Sequence, residues 1–215
     1  MFTYLLIFSA CQSSEKGENT GRIQAIGDSF LDFYSDEEAS IPHVVGNELS
    51  MEVQNNSVSG AILLDSEEAI HSQYEPGSWD WVLVNGGGND LEEQCACGDC
   101  DAYMDEIISE DSESGAIPDL LHSIREDGNR IVLMSYFSIP NEAEEFSNCN
   151  DELDTMRARY QGFAAEHDDV IFVDAGDVVS YDTNPEAYAD DLIHPSLEGS
   201  QIIGAYVAEQ LLDLE

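Results

Sequence analysis

From Arg22 onward, short apolar runs alternate with segments whose apolar residues recur at helical spacing. The run RIQAIGDS stays apolar to Ile26 and stops at Gly27, as a short buried strand does. EEASIPHVVGNELS carries the helical period, with Pro42 placed near the first turn, where proline is tolerated. MEVQNNS predicts a second strand, and Ala61 to Ser72 a helix with Glu67 and Glu68 on its wet side. WDWVLVNGGG is a third strand running into glycines. Asp101 to Asp127 is mostly helical and breaks near Gly115 and Pro118. RIVLMSY is a fourth strand, Asn150 to His167 an amphipathic helix, DVIFVDAG a fifth strand, and Leu197 to Leu212 a closing helix. Strands alternating with helices imply a parallel sheet covered on both faces. With right-handed crossovers, this is an α/β fold: a three-layer α/β/α sandwich on a sheet of about five parallel strands. The pattern shows no internal repeat and no transmembrane segment. In such sheets ligands sit at the carboxyl ends of the strands.

Four of those ends carry chemistry. The first strand ends at Gly27-Asp28-Ser29; the second is followed by NNSVSGA, with Gly60 after Ser59. The third ends in NGGGND, which supplies Asn89, and the last helix is preceded by DDLIHPS, with Asp191 and His194 three apart. Each has an ordinary explanation: Ser29 as a helix N-cap, Gly60 as a positive-φ turn, NGGGND as a flexible turn, His194 as a surface residue. Together they meet the needs of acyl transfer, which are a nucleophile, a base, an orienting carboxylate and oxyanion donors. His43, His71, His122 and His167 lack such company and read as surface or packing residues. No HExxH, P-loop or G-x-G-x-x-G pattern is present.

GDSF, the VSGA glycine, GGND and DLIHP, in that order, resemble the four blocks of the SGNH (GDSL) hydrolase family. The resemblance covers residues 22–215 and is greatest with small bacterial members of thioesterase, arylesterase and lysophospholipase type. It implies a flavodoxin-like sheet and a serine hydrolase that cleaves carboxylic esters through an acyl-enzyme, without a metal or other cofactor. Ser29 would be the nucleophile, His194 the base and Asp191 its orienter, the D-x-x-H spacing favouring Asp191 over Asp190. The oxyanion hole would combine the Ser29 and Gly60 N–H groups with the Asn89 side chain. Gly27 would allow the tight turn, and Asp28 would bond nearby backbone. A small-molecule ester is the implied partner. Two alternatives stand beside this reading: a carbohydrate O-acetyl esterase of the same fold, and a non-catalytic surface-binding protein on the same scaffold.

Charge narrows the partners. Among 215 residues, Asp plus Glu number 46 and Lys plus Arg 6, a formal net charge of −40. Nucleic acid is therefore excluded as a partner, since phosphate binding needs clustered cations. The acid is either a solubilising surface or the mark of a salty habitat, where counterions screen self-repulsion. At the N-terminus, MFTYLLIFSAC sets ten apolar or hydroxylic residues before a cysteine, too few to span a bilayer. Phe8 to Cys11 resembles a bacterial lipobox, although no Lys or Arg precedes the run. The expectation is a lipoprotein-type signal over residues 1–10, a polar tether over 11–20, and a hydrolase domain over 21–215. Lipidated Cys11 would hold the exported protein in the periplasm or at the cell surface. Cys95, Cys97, Cys100 and Cys149 then remain. They suggest two disulfides, with three possible connectivities, over a zinc cluster, because C-x-C-x-x-C lacks the paired C-x-x-C spacing of zinc modules.

Overall fold

The computed structural model of the chain describes residues 22–64, 69–212 and 214. The signal, the tether and Cys11 lie outside the described residues. The five expected strands are all present: β1 (Arg22–Ile26), β2 (Glu52–Asn55), β3 (Trp81–Val84), β4 (Arg130–Ser135) and β5 (Val170–Asp174). They form one parallel sheet in the order β2-β1-β3-β4-β5. Ile23 of β1 faces Val53 on one side and Trp81 on the other, so β1 and β3 share the centre. Every residue of β3 is buried, and β1 is buried after Arg22. Near-continuous apolar runs are what a sheet covered on both faces requires.

The helices supply that cover. α1 (Ser29–Asp32) and α2 (Ile41–Leu49) cross from β1 to β2. α3 (Gly88–Cys95), α4 (Asp101–Ile107) and α5 (Ala116–Glu126) cross from β3 to β4, and α6 (Asn150–Ala165) crosses from β4 to β5. α7 (Leu197–Leu212) closes the chain and packs against α2. Pro42 sits at the start of α2 and Pro118 in the first turn of α5, where N–H groups have no acceptor within the helix. The break before α5 falls at Gly115, whose φ is +119°. The chain leaves β1 toward one edge of the sheet and β3 toward the other. A crevice therefore opens between their carboxyl ends, the topological switch point of a doubly wound sheet.

The structure corrects the helix expected over Ala61 to Ser72. Its described part is a loop to Leu64 and a single 3₁₀ turn, Ile70–Gln73; residues 65–68 lie outside the described residues. Two contacts hold the segment out of a helix. The Ile70 N–H donates to the Ile62 carbonyl at 2.9 Å, closing eight residues that a helix would hold about 12 Å apart. Buried Asp90, in the first turn of α3, accepts the N–H groups of Leu63 and Leu64 at 2.8–3.0 Å and ties the loop to α3.

The cysteines pair as Cys95–Cys100 and Cys97–Cys149, which selects one of the three connectivities. The second bridge spans 52 residues of sequence and the first only 5. Chain entropy therefore assigns roughly 4 kcal/mol to the long loop and roughly 2 kcal/mol to the short one. The Cys97→Ser/Cys149→Ser pair should lower the unfolding free energy by about 2–5 kcal/mol, with a smaller loss for Cys95→Ser/Cys100→Ser. Urea titration would check the order.

Candidate active site

The first block folds around a buried carboxylate. Asp28, and not Ser29, caps α1: its Oδ1 accepts the Phe30 N–H at 2.9 Å. Asn85, the residue after β3, donates to the same oxygen at 3.2 Å and accepts the Asp28 N–H at 3.2 Å. Tyr136, just past β4, donates its hydroxyl to Asp28 Oδ2 and accepts the Gly88 N–H at 3.2 Å. Burial pushes the Asp28 carboxyl up, against the hydrogen bonds from Tyr136, Phe30 and Asn85 that favour its anion. Burial and the Asp28 charge push Tyr136 well above the ordinary phenol value, so it stays a hydroxyl donor. Asp28 thus does more than bond nearby backbone, because it ties the ends of β1, β3 and β4 together. Gly27 fits beneath this network because a Cβ there would lie 2.0 Å from Asn85 Oδ1. Gln73 grips Gly27 from the other side, taking its N–H at 2.7 Å and donating to its carbonyl at 2.9 Å.

Ser29 is the first residue of α1. Its Oγ lies 2.8 Å from His194 Nε2. His194 Nδ1 lies 2.8 Å from Asp191 Oδ2, and Asp191 Oδ1 accepts the N–H groups of Ile193 and His194 at 2.9 and 3.0 Å. Burial pushes the Asp191 carboxyl up. The hydrogen bonds from His194 and Ile193 outweigh it and hold the group below the ordinary carboxylate value. The loop bearing the pair is closed by an isolated bridge between Tyr188 and Pro195 and by the Ala189 N–H donating to the His194 carbonyl at 2.9 Å. Phe33 stacks flat on the imidazole, with centroids 4.4 Å apart and planes 2° from parallel. The ring is thus held on its face, at both nitrogens and through its own backbone. Asp190 makes no such contact with His194.

Gly60 and Asn89 flank the hydroxyl. Gly60 has φ +79° and open space where a Cβ would stand, so the backbone conformation, not crowding, asks for glycine. No described backbone group accepts the N–H of Ser29 or of Gly60. Asn89 Nδ2 donates to the Ala61 carbonyl at 3.0 Å, which fixes the Gly60–Ala61 segment against α3 and leaves the second amide hydrogen available. Of the five expected site residues, Ser29, Gly60, Asn89 and His194 border one cavity of about 370 Å³, and Asp191 stands behind it. Asp28 and Ser59, neighbours in the same blocks, line it too. Its apolar wall comes from Phe30, Phe33, Ile139, Phe146, Leu153 and Ile193. Glu145 stands at its edge, and no Lys or Arg lines it.

The segment from Leu91 to Asp101 follows Asn89 directly, but it does not line this cavity. α3 carries it away as helix to Cys95, and the Cys95–Cys100 bridge folds it back. The wall comes instead from the β4–α6 connection, with Ile139, Glu145 and Phe146. Cys149 anchors that connection to Cys97. Sequence reasoning also missed Asn85, Gln73 and Tyr136. Asn85 lay within the quoted NGGGND block, whereas nothing around Gln73 or Tyr136 marks either as a partner of the first loop.

Residues 25–202 match the model of the GDSL-like lipase/acylhydrolase family. No curated protein sequence matches the chain. Among solved structures, the chain is similar to a protein assigned to the SGNH hydrolases from Slackia heliotrinireducens, at 19% identity and TM-score 0.65, covering 90% of this chain and 100% of that one. It is also similar to a carbohydrate acetylesterase family member from Sinorhizobium meliloti, at 18% identity and TM-score 0.66, covering 89% and 97%. The M. smegmatis aryl esterase aligns at 18% identity and TM-score 0.63, covering 91% and 100%. At these identities the likeness is one of fold, and it agrees with the flavodoxin-like sheet.

Proposed function

The chain belongs to the GDSL-like lipase/acylhydrolase family, and from that premise we propose that it hydrolyses neutral carboxylic esters through an acyl-enzyme on Ser29. The observation that carries this reading is the unbroken line from Ser29 Oγ through His194 to Asp191, two contacts of 2.8 Å each, at the edge of an apolar cavity. With Nδ1–H donated to Asp191, Nε2 holds the lone pair that takes the Ser29 proton as Oγ attacks the ester carbonyl. The oxyanion then accepts the Ser29 and Gly60 N–H groups and the free Asn89 amide hydrogen. His194 returns the proton to the leaving alcohol, and a water activated by the same nitrogen releases the acid. Asp28 is too deeply engaged with Asn85, Phe30 and Tyr136 to enter this exchange. Its part is to hold the loop that displays Ser29.

The aromatic wall favours an apolar acyl or aryl group over a sugar. The alignment of hydroxyl, base and carboxylate favours the catalytic reading over the non-catalytic one. Two disulfides suit an oxidising compartment and support the proposed export. Mass spectrometry after treatment with a fluorophosphonate tests the nucleophile. The reading requires a single adduct on the peptide containing Ser29, and an adduct elsewhere, or none on active protein, would overturn it.

The charge sets a preference. Glu145 edges the cavity, no cation lines it, and the chain carries −40. A monoester bearing a free carboxylate should be hydrolysed about tenfold more slowly than its neutral isostere at low salt. The gap should narrow as salt screens the field. Paired kcat/KM values across a salt series check this, and a ratio that ignores salt would remove the electrostatic cause.

A further inference from the structure

Away from the cleft, three side chains converge that the ester chemistry does not use. Glu113 lies in the connection between α4 and α5, His122 in the middle of α5, and His167 between α6 and β5. One ligand atom from each lies within 4.8 Å of the others. His167 Nε2 is shut off from solvent and has no hydrogen-bond partner among the described residues. Its nearest acidic atom, Glu113 Oε2, is 3.8 Å away, beyond hydrogen-bond range. A buried ring nitrogen left without a partner needs an explanation. The expectation that His122 and His167 are surface or packing residues does not provide one.

We propose that Glu113, His122 and His167 bind one divalent transition-metal ion of the zinc class. Two imidazoles and a carboxylate are donors such an ion accepts, with water completing a tetrahedron. Bonds of roughly 2.0–2.1 Å set tetrahedral ligand atoms about 3.4 Å apart. Ligand atoms within 4.8 Å of one another must draw inward to reach that spacing, and Glu113, exposed in the α4–α5 connection, has the most room to move. The rings are already placed. Phe163 packs against both, with centroids 5.3 Å from His122 and 4.3 Å from His167, and the two imidazoles meet edge to face at 5.6 Å. Arg125 lies 3.4 Å from His122 Nδ1, but Asp169 binds it at 2.8–2.9 Å and balances its charge. The strongly negative chain raises the local concentration of cations.

His167 precedes β5, so the cluster sits toward the amino edge of the sheet, opposite the carboxyl edge that holds Ser29. The ion therefore takes no part in ester cleavage. It fastens the α4–α5 connection and α5 to the turn between α6 and β5. Binding to the folded chain alone must raise its thermal midpoint.

The test is calorimetric titration of the full, disulfide-intact, chelator-treated chain with ZnCl₂, in excess Mg²⁺ to occupy the acidic surface. The expected result is one zinc per chain, a zinc-dependent rise in melting temperature, and unchanged ester hydrolysis once free zinc is removed. Glu113→Gln should weaken binding by about tenfold or more without altering the metal-free melting temperature. His122→Ala/His167→Ala should abolish it. His194→Ala should leave it intact, which separates this site from the imidazole in the cleft. Should the double variant fail to fold, the exposed Glu113→Gln decides. Zinc affinity unchanged in Glu113→Gln, binding lost in His194→Ala, or no saturable site in Mg²⁺ would overturn the proposal.

Discussion

Ser29→Ala should lower kcat for ester hydrolysis by on the order of 10⁴–10⁶ while leaving the fold unchanged. The size of the loss follows from the step removed. Without Oγ there is no acyl-enzyme, and only the donors around Gly60 and Asn89 remain to assist attack by water. The fold survives because Ser29 Oγ bonds only the partly exposed ring of His194, where solvent can replace it. The bonds that hold the loop belong to Asp28, Gly27 and Gln73, and all of these persist. Removing so little at a partly open site typically shifts stability by no more than about 0.5 kcal/mol. Hydrolysis of p-nitrophenyl esters from acetate to long acyl chains, with salt present, gives the comparison. The chain-length optimum of the wild type sizes the acyl side of the cavity. Activity within tenfold of wild type in the folded variant would take the nucleophile away from Ser29.

The sheet was legible because its signals are local. β1, β3 and β5 are short apolar runs ended by Gly27, Asn85 and Asp174, β4 is an apolar run to Ser135, and such runs need no knowledge of their neighbours. The strand-end residues were legible for a related reason. Once a parallel sheet is inferred, its topology brings loops far apart in sequence to one edge, and Ser29 and His194 meet across 165 positions. What failed was whatever a distant side chain decides. Ala61 to Ser72 has a helical pattern, yet Asp90 ties the Leu63 and Leu64 N–H groups to α3 and the Ile70 N–H closes onto the Ile62 carbonyl, so the described part is a loop and one 3₁₀ turn. Leu91 to Asp101 follows Asn89 directly, but α3 turns it away and a segment some fifty residues later, around Phe146, forms the wall. Tyr136 is one ordinary residue at the end of β4. Only the packing of Phe30 against its ring, at 5.3 Å, and the depth of Asp28 make it part of the nucleophile's support. His122 and His167 are 45 residues apart on separate elements, and no spacing rule links them. Disulfide formation was readable from cysteine number, while pairing was not, because connectivity depends on where the β4–α6 connection comes to rest.

Asp191→Asn should cost about 10⁴ in kcat, close to the loss at Ser29, although it replaces one oxygen by a nitrogen of nearly the same size. The geometry forces the outcome. Asp191 Oδ1 accepts two backbone N–H groups, from Ile193 and His194, while Oδ2 faces the imidazole. An asparagine must keep its carbonyl oxygen toward those two donors, because its NH₂ group cannot accept them. The NH₂ then faces His194 Nδ1 and donates to it. The ring is driven to the tautomer with its proton on Nε2, the nitrogen that should take the Ser29 proton. Base and nucleophile both become donors at their shared contact, and the line from Asp191 to Ser29 is reversed at its middle. The wild-type carboxyl, held below its ordinary value by the same N–H groups, remains the anion throughout the neutral range. Protonation of Asp191 therefore does not produce the same defect there. Asp190→Asn makes the matched control, since Asp190 has no contact with His194, and its kcat should stay within about twofold of wild type. A large loss in Asp190→Asn with a small one in Asp191→Asn would reassign the orienting carboxylate and, with it, the tautomer of His194.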